Sequence, residues 1–166
     1  MQNHVKHIIM KQNFLLPFLM LLFIAAPTAK AQEIIPGTSV SAPFLKSLFE
    51  NAYYSVEEVQ DTYIIVRDGY KFYFDIDSKQ RYVTISNVFN LDKKFSKQEV
   101  YELINTLSKE VALIKCYYLE QTHSIAFYYY YWTEGGFTAK SLISAFKLYK
   151  EAVLLSVDKD TKHIIL

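Results

Sequence analysis

Cysteine is almost absent from this sequence, and Cys116 stands alone. A lone thiol forms no intrachain disulfide, so the domain must be held by its core. Its setting in an apolar strand pattern predicts a buried small side chain, not a reactive group. Glycine is equally scarce, with four in 166 residues, and no Walker or dinucleotide fingerprint can be assembled from them. Histidine is limited to His123 and His163 beyond the N-terminal region, and neither lies in a metal-ligand spacing. No Gly-x-Ser-x-Gly elbow occurs, and Cys116 has no evident histidine partner. Glu57-Glu58 are adjacent acids that a loop would point apart, and Asp75-Ile76-Asp77 lacks the glycine and distal glutamate of a calcium loop. The expectation is therefore a protein that is not an enzyme, with no cofactor and no metal.

The N-terminal region reads as an address. Lys6 and Lys11 precede the apolar run Phe14 to Ala26, and Ala29-Lys30-Ala31 follows it, which is the pattern of a cleaved secretory signal over 1–31. Met10 is an alternative start that would give a signal of more usual length. The run is too short to span a bilayer, so no stable membrane span is expected after cleavage, and the protein should be periplasmic or secreted. Beyond residue 31 the chain carries 15 basic and 17 acidic side chains, a formal charge of −2. That balance lacks the basic footprint of a nucleic-acid binder.

Aromatic residues are abundant by contrast, with 14 Tyr and 12 Phe. The densest stretch is Ser124 to Trp132, whose alternation sends Ile125, Phe127, Tyr129 and Tyr131 one way and Ala126, Tyr128, Tyr130 and Trp132 the other. Residues of this kind, uninterrupted by Gly or Pro, predict a central strand. Residues 32–42 read as a flexible arm. A first helix begins near Ser41 with Pro43 in its first turn and an apolar face of Leu45, Leu48 and Phe49. Three strands follow: Tyr63–Val66, an Asp68-Gly69 turn, Tyr70–Asp75 and Tyr82–Asn87. Ser96 and Glu99 form a capping box before a helix whose stripe is Val100, Leu103, Ile104 and Leu107. A strand between Val111 and Leu119, the aromatic strand and a helix capped by Thr138 with the stripe Leu142, Phe146, Tyr149 and Val153 complete the order. The reading is one α+β domain over 43–154, α-β-β-β-α-β-β-α, with about five antiparallel strands and helices on one sheet face. Residues 155–166 form a C-terminal tail, either a short strand or a loose end.

The Tyr63–Val66 strand, the Asp68-Gly69 turn, the Tyr70–Phe74 strand, Leu103-Ile104-Asn105 and Gly135-Gly136-Phe137-Thr138 together resemble the YbjN-like family of bacterial proteins. That family's fold is like that of type III secretion chaperones, and this chain reads as an exported member. The resemblance implies a non-enzymatic, protein-binding, chaperone-like or regulatory module with a protein partner, and a homodimer is one arrangement it allows. Tyrosine joins an apolar ring to a hydroxyl that tolerates water, which suits a binding surface. The candidate partner surface is Tyr73, Tyr128, Tyr130 and Trp132 on the sheet face that no helix covers. The alternative is a periplasmic carrier of a small apolar ligand, in a cavity lined by Phe72, Phe74, Tyr129 and Tyr131.

Overall fold

The structure, a computed structural model, describes residues 33–166, so the expected signal segment lies outside the described residues. Six strands form one antiparallel sheet: β1 (Ser55–Val59), β2 (Tyr63–Asp68), β3 (Tyr70–Ile76), β4 (Tyr82–Asn90), β5 (Lys115–Leu119) and β6 (Ser124–Trp132). Their spatial order is β1-β2-β3-β4-β6-β5. Three helices, α1 (Ala42–Asn51), α2 (Lys97–Glu110) and α3 (Ala139–Lys159), complete a single α+β domain.

Each helix begins where its sequence supplies a cap. The Ser41 hydroxyl accepts from the Phe44 N–H ahead of α1. Ser96 and Glu99 close a reciprocal capping box on α2, and Thr138 and Ser141 close another on α3. The apolar stripes then lie on one side of the sheet. Leu45 and Phe49, Val100 and Leu107, and Leu142, Phe146 and Val153 share a buried cluster with Ile64, Val66, Phe72, Phe74, Val83, Ile85, Ile125 and Phe127. The ladder sets these strand residues opposite one another, Ile64 to Phe74, Phe74 to Ile85 and Phe89 to Ile125, so they form a single face. Phe146 sits at the centre of this packing. Its ring meets Phe49, Phe72 and Phe74 at centroid distances of 5.6, 5.1 and 5.3 Å, all near edge-on.

Four features depart from the sequence expectation. First, Glu57 and Glu58 lie in an edge strand and not in a loop. The β1–β2 register shifts between Val56 and Glu58, so Glu57 is the extra residue of a bulge. The bulge turns both acids to one side: Glu57 binds Arg67, and Glu58 accepts from the Tyr63 hydroxyl. Second, the strand expected across 111–119 is confined to Lys115–Leu119. Third, the arm is pinned. Ile35 exchanges backbone bonds with Phe137, and a short 3-10 turn over Gly37–Ser39 carries Val40 into the core. A side chain at Gly37 would meet the Thr133 carbonyl oxygen at 2.6 Å, so only glycine lets the arm approach. Fourth, α3 runs to Lys159, and the residues after it turn back to bury Ile164 and Ile165. Ile165 bridges to Leu91, and its N–H donates to the Asp160 carboxylate at 2.7 Å.

Candidate functional site: the open face of the sheet

With the stripes of all three described helices on one face, the other carries the alternate residues of each strand. β6 contributes Tyr128, Tyr130 and Trp132, and β4 contributes Tyr82, Thr84 and Ser86. β3 adds Tyr73 and Asp75, and β5 adds Lys115 and Tyr117. The register forms rows across the sheet. Tyr130 faces Thr84, which faces Asp75, which faces Tyr63; one row over, Lys115 faces Tyr128, then Ser86, then Tyr73. All four sequence-chosen residues, Tyr73, Tyr128, Tyr130 and Trp132, therefore share one surface.

The rings form a connected series. Tyr117 meets Tyr128 at 5.3 Å, Tyr128 meets Tyr130 at 5.4 Å, Tyr130 meets Tyr82 at 5.3 Å, and Tyr82 meets Trp132 at 5.5 Å. Most of these contacts are edge-on, so ring faces and ring edges alternate toward solvent. Trp132 is 63% exposed, Tyr130 45% and Tyr117 44%, values far from those of the inner face. Sequence reasoning missed Tyr82 and Tyr117. Alternation with inward Val83 and Ile85 was the available signal for Tyr82. No such signal marks Tyr117, whose strand is apolar on both sides.

Cations flank the series. The Lys115 ammonium stands 5.5 Å from the Tyr130 ring centroid and the Arg81 guanidinium 5.6 Å from that of Tyr82. Arg81 is also held by Asp77, through Nε at 2.8 Å and Nη2 at 3.1 Å. These bonds hold the Asp77 carboxyl at about 2. Glu57 lies below its ordinary range because Arg67 donates to it, with Lys71 nearby at 3.6 Å. Asp75 is the exception. It has no ion-pair or side-chain hydrogen-bond partner among the described residues, and desolvation by its neighbours pushes its carboxyl upward.

The residues of the other readings are placed elsewhere. Phe72, Phe74 and Tyr131 belong to the buried core, with Tyr131 bonded to the Ser141 hydroxyl, and Tyr129 packs against that core. Burial pushes the Cys116 thiol up, away from the thiolate that a nucleophile requires. His123 is tied between the Tyr118 hydroxyl, 2.6 Å from Nδ1, and the Asp92 carbonyl, 3.3 Å from Nε2. Asp75 and Asp77 do not converge into a cation site, and the described residues contain no group of three or more acids, histidines or cysteines placed to hold a metal. No helix among the described residues is long and apolar enough to cross a membrane.

An antiparallel sheet with three helices on one face and an aromatic surface on the other defines a one-sided α+β module. The chain belongs to the YbjN family, described as "putative bacterial sensory transduction regulator", whose profile matches residues 42–159. Its fold is similar to the crystal structure of YbjN, "a putative transcription regulator from E. coli", with a TM-score of 0.63. That match has 8% identity and covers 75% of this chain and 94% of the other, so it speaks to fold alone. No curated protein matches the sequence.

Proposed function

We propose that this chain is an exported, non-enzymatic regulatory module that binds a polypeptide partner through the open face of its sheet. The observation that carries the reading is the connected series from Tyr117 to Trp132, exposed on a face that the helices of the described residues leave free. Large rings with water-tolerant polar tips are the side chains that dominate protein interfaces. Trp132 and Tyr130 do not contribute to the buried cluster, so their size is not demanded by the fold. The family's description as a regulator agrees with a binding role.

The test is a paired capture from the envelope fraction, using the wild-type protein and a Tyr130→Ala/Trp132→Ala variant of matched stability. The expected result is a partner enriched by the wild type and lost with the variant. A partner held equally by both proteins would remove the open face from the reading. Export is checked separately by N-terminal sequencing of protein recovered from the native host, with cleavage expected after Ala31.

A further inference from the structure

The open face is furrowed. Along β4 the outward residues between Tyr82 and Val88 are only Thr84 and Ser86, and Ala126 lies opposite Val88. Tyr128 and Tyr130 rise on the β6 side, and Tyr73 and Asp75 on the β3 side. A trough thus follows β4, and its depressions are linked. One of about 340 Å³ is lined by Tyr82, Tyr130 and Trp132 alone. The next, about 350 Å³, shares Tyr130 and includes Asp75, Thr84, Ser86 and Val88. A third, about 330 Å³, begins at Val88 and continues past Tyr73. From Tyr82 to Val88 the trough is about 20 Å long at the rise of an extended strand.

The occupant is constrained by what this floor offers. β4 and its neighbours are hydrogen-bonded to one another along the ladder, so a chain lying over the trough cannot join as another strand. The ridges on β3 and β6 stand two strand spacings apart, about 9–10 Å, which is narrower than an α-helix with its side chains. The segment therefore needs an extended backbone that is stable without a ladder and whose carbonyls can accept from tyrosine hydroxyls and from the indole N–H of Trp132. Polyproline II is such a backbone. It has no internal hydrogen bonds and rises about 3.1 Å per residue, so about six or seven residues fill the trough. Its prolines are preordered and dock between aromatic rings at little entropic cost. The unpartnered Asp75 carboxylate beside the trough then calls for a cation on the same segment.

We propose that the β4 trough binds a proline-rich polypeptide segment in the polyproline II conformation, with prolines between Tyr82, Tyr130 and Trp132 and an arginine or lysine directed at Asp75. This rests on the reading that the open face binds a polypeptide, and it specifies the segment's chemistry.

Trp132 is the only tryptophan in the chain, so its fluorescence reports on the first depression without a label. The protein is titrated with a synthetic peptide of about seven residues, rich in proline with one arginine, the length that matches the trough. The expected result is a saturable blue shift of Trp132 emission. Replacing the peptide's prolines by alanine, or Tyr130 by Ala, should weaken binding by about tenfold or more, as loss of an interface anchor does. Tyr130→Phe keeps the ring and separates stacking from hydrogen bonding. Asp75→Asn should weaken the arginine peptide by several-fold and leave a peptide with glutamine at that position unchanged. An alanine peptide bound as tightly as the proline peptide, or no emission change at saturating peptide, overturns the proposal. The broader reading is judged independently by envelope capture: a partner still lost from the Tyr130→Ala/Trp132→Ala variant would mean that the face binds a different chemistry.

Discussion

The Tyr149 hydroxyl on α3 stands 2.7 Å from the side-chain oxygen position of Asn87 on β4 and 2.9 Å from the carbonyl oxygen of Phe127 on β6. Both side chains are buried, so this contact ties α3 to the adjacent strands β4 and β6 inside an apolar layer. A phenol has one proton to donate and cannot serve two acceptors at once. Its single proton therefore alternates between the Asn87 Oδ1 and the Phe127 carbonyl, which lie on adjacent strands. The Asn87 Nδ2 has no hydrogen-bond partner among the described residues, so the phenol is the contact that holds this buried amide.

Tyr149→Phe should therefore cost about 1–3 kcal/mol by stranding the Asn87 amide, and the double variant with Asn87→Leu should recover part of the loss. Burial pushes the Tyr149 phenol far above its ordinary value. The unfolded chain ionises its tyrosines near pH 10, whereas folded Tyr149 keeps its proton. Its stabilising effect is thus fully present below about pH 10 and declines above it, as the unfolded state alone releases the proton. Urea midpoints measured from about pH 8 to about pH 11 should fall less steeply for Tyr149→Phe than for wild type; parallel curves would show that this hydroxyl does not govern the alkaline limb.

Much of this architecture is written locally. Ser96 with Glu99, Thr138 and the alternation of Ser124–Trp132 each act within a few residues, and each forms where its pattern indicates. The β2–β3 turn also forms in place, but on Gly69 alone, because Asp68 ends β2 and pairs with Tyr70. β1 was hidden because a bulge breaks the alternation of Ser-Val-Glu-Glu-Val, and its pairing with β2 is a tertiary matter. The pinned arm and the buried C-terminus depend on contacts with Phe137 and Leu91, far away in sequence. The open face was half legible. Parity within β6 identified Tyr128, Tyr130 and Trp132, but joining them to Tyr82, Tyr117 and Asp75 required the order β3-β4-β6-β5, which no local pattern contains.

The turn between β3 and β4 is held by an acid. Asp77 accepts from the Arg81 side chain at 2.8 Å and from its backbone N–H at 3.3 Å, and its carboxyl is held at about 2. A depressed carboxyl stabilises the fold above the unfolded value of about 3.9, and that contribution is lost as pH falls through the folded value. Asp77→Asn should be less stable than wild type near neutral pH, and the gap should close between about pH 4 and about pH 2. Chemical denaturation across that range checks it, and a gap independent of pH would mean that the variant loses the second acceptor oxygen taken by Arg81 Nη2 and not the charge.

The C-terminal residues should behave as core. Ile164 is 1% exposed, its carbonyl accepts from the Asp92 N–H, and the Leu166 N–H donates to Asn90. Ile164→Ala should cost about 2–5 kcal/mol, the usual range for a buried isoleucine cut to alanine. Removing residues 162–166 should cost more, since it also strips the Asp160 carboxylate of the Ile165 N–H. Thermal melts that stay unchanged after that truncation would return this segment to the status of a loose end.

The sharpest separation of fold from function lies between two aromatic residues on opposite faces. Phe146 is fully buried among Phe49, Phe72 and Phe74, so Phe146→Ala should destabilise by about 3–5 kcal/mol. Trp132 touches Tyr82 on the open face and is 63% exposed, so Trp132→Ala should forfeit only a ring pair, about 0.5–1.5 kcal/mol. Partner capture should order the two residues in reverse. Trp132→Ala should lose the partner while staying folded, and Phe146→Leu, which keeps an apolar core side chain, should retain it. A Trp132→Ala protein as destabilised as Phe146→Ala would show that the open face serves the fold. A stable Trp132→Ala protein that no longer holds its partner would show that the ring is there for something outside the chain.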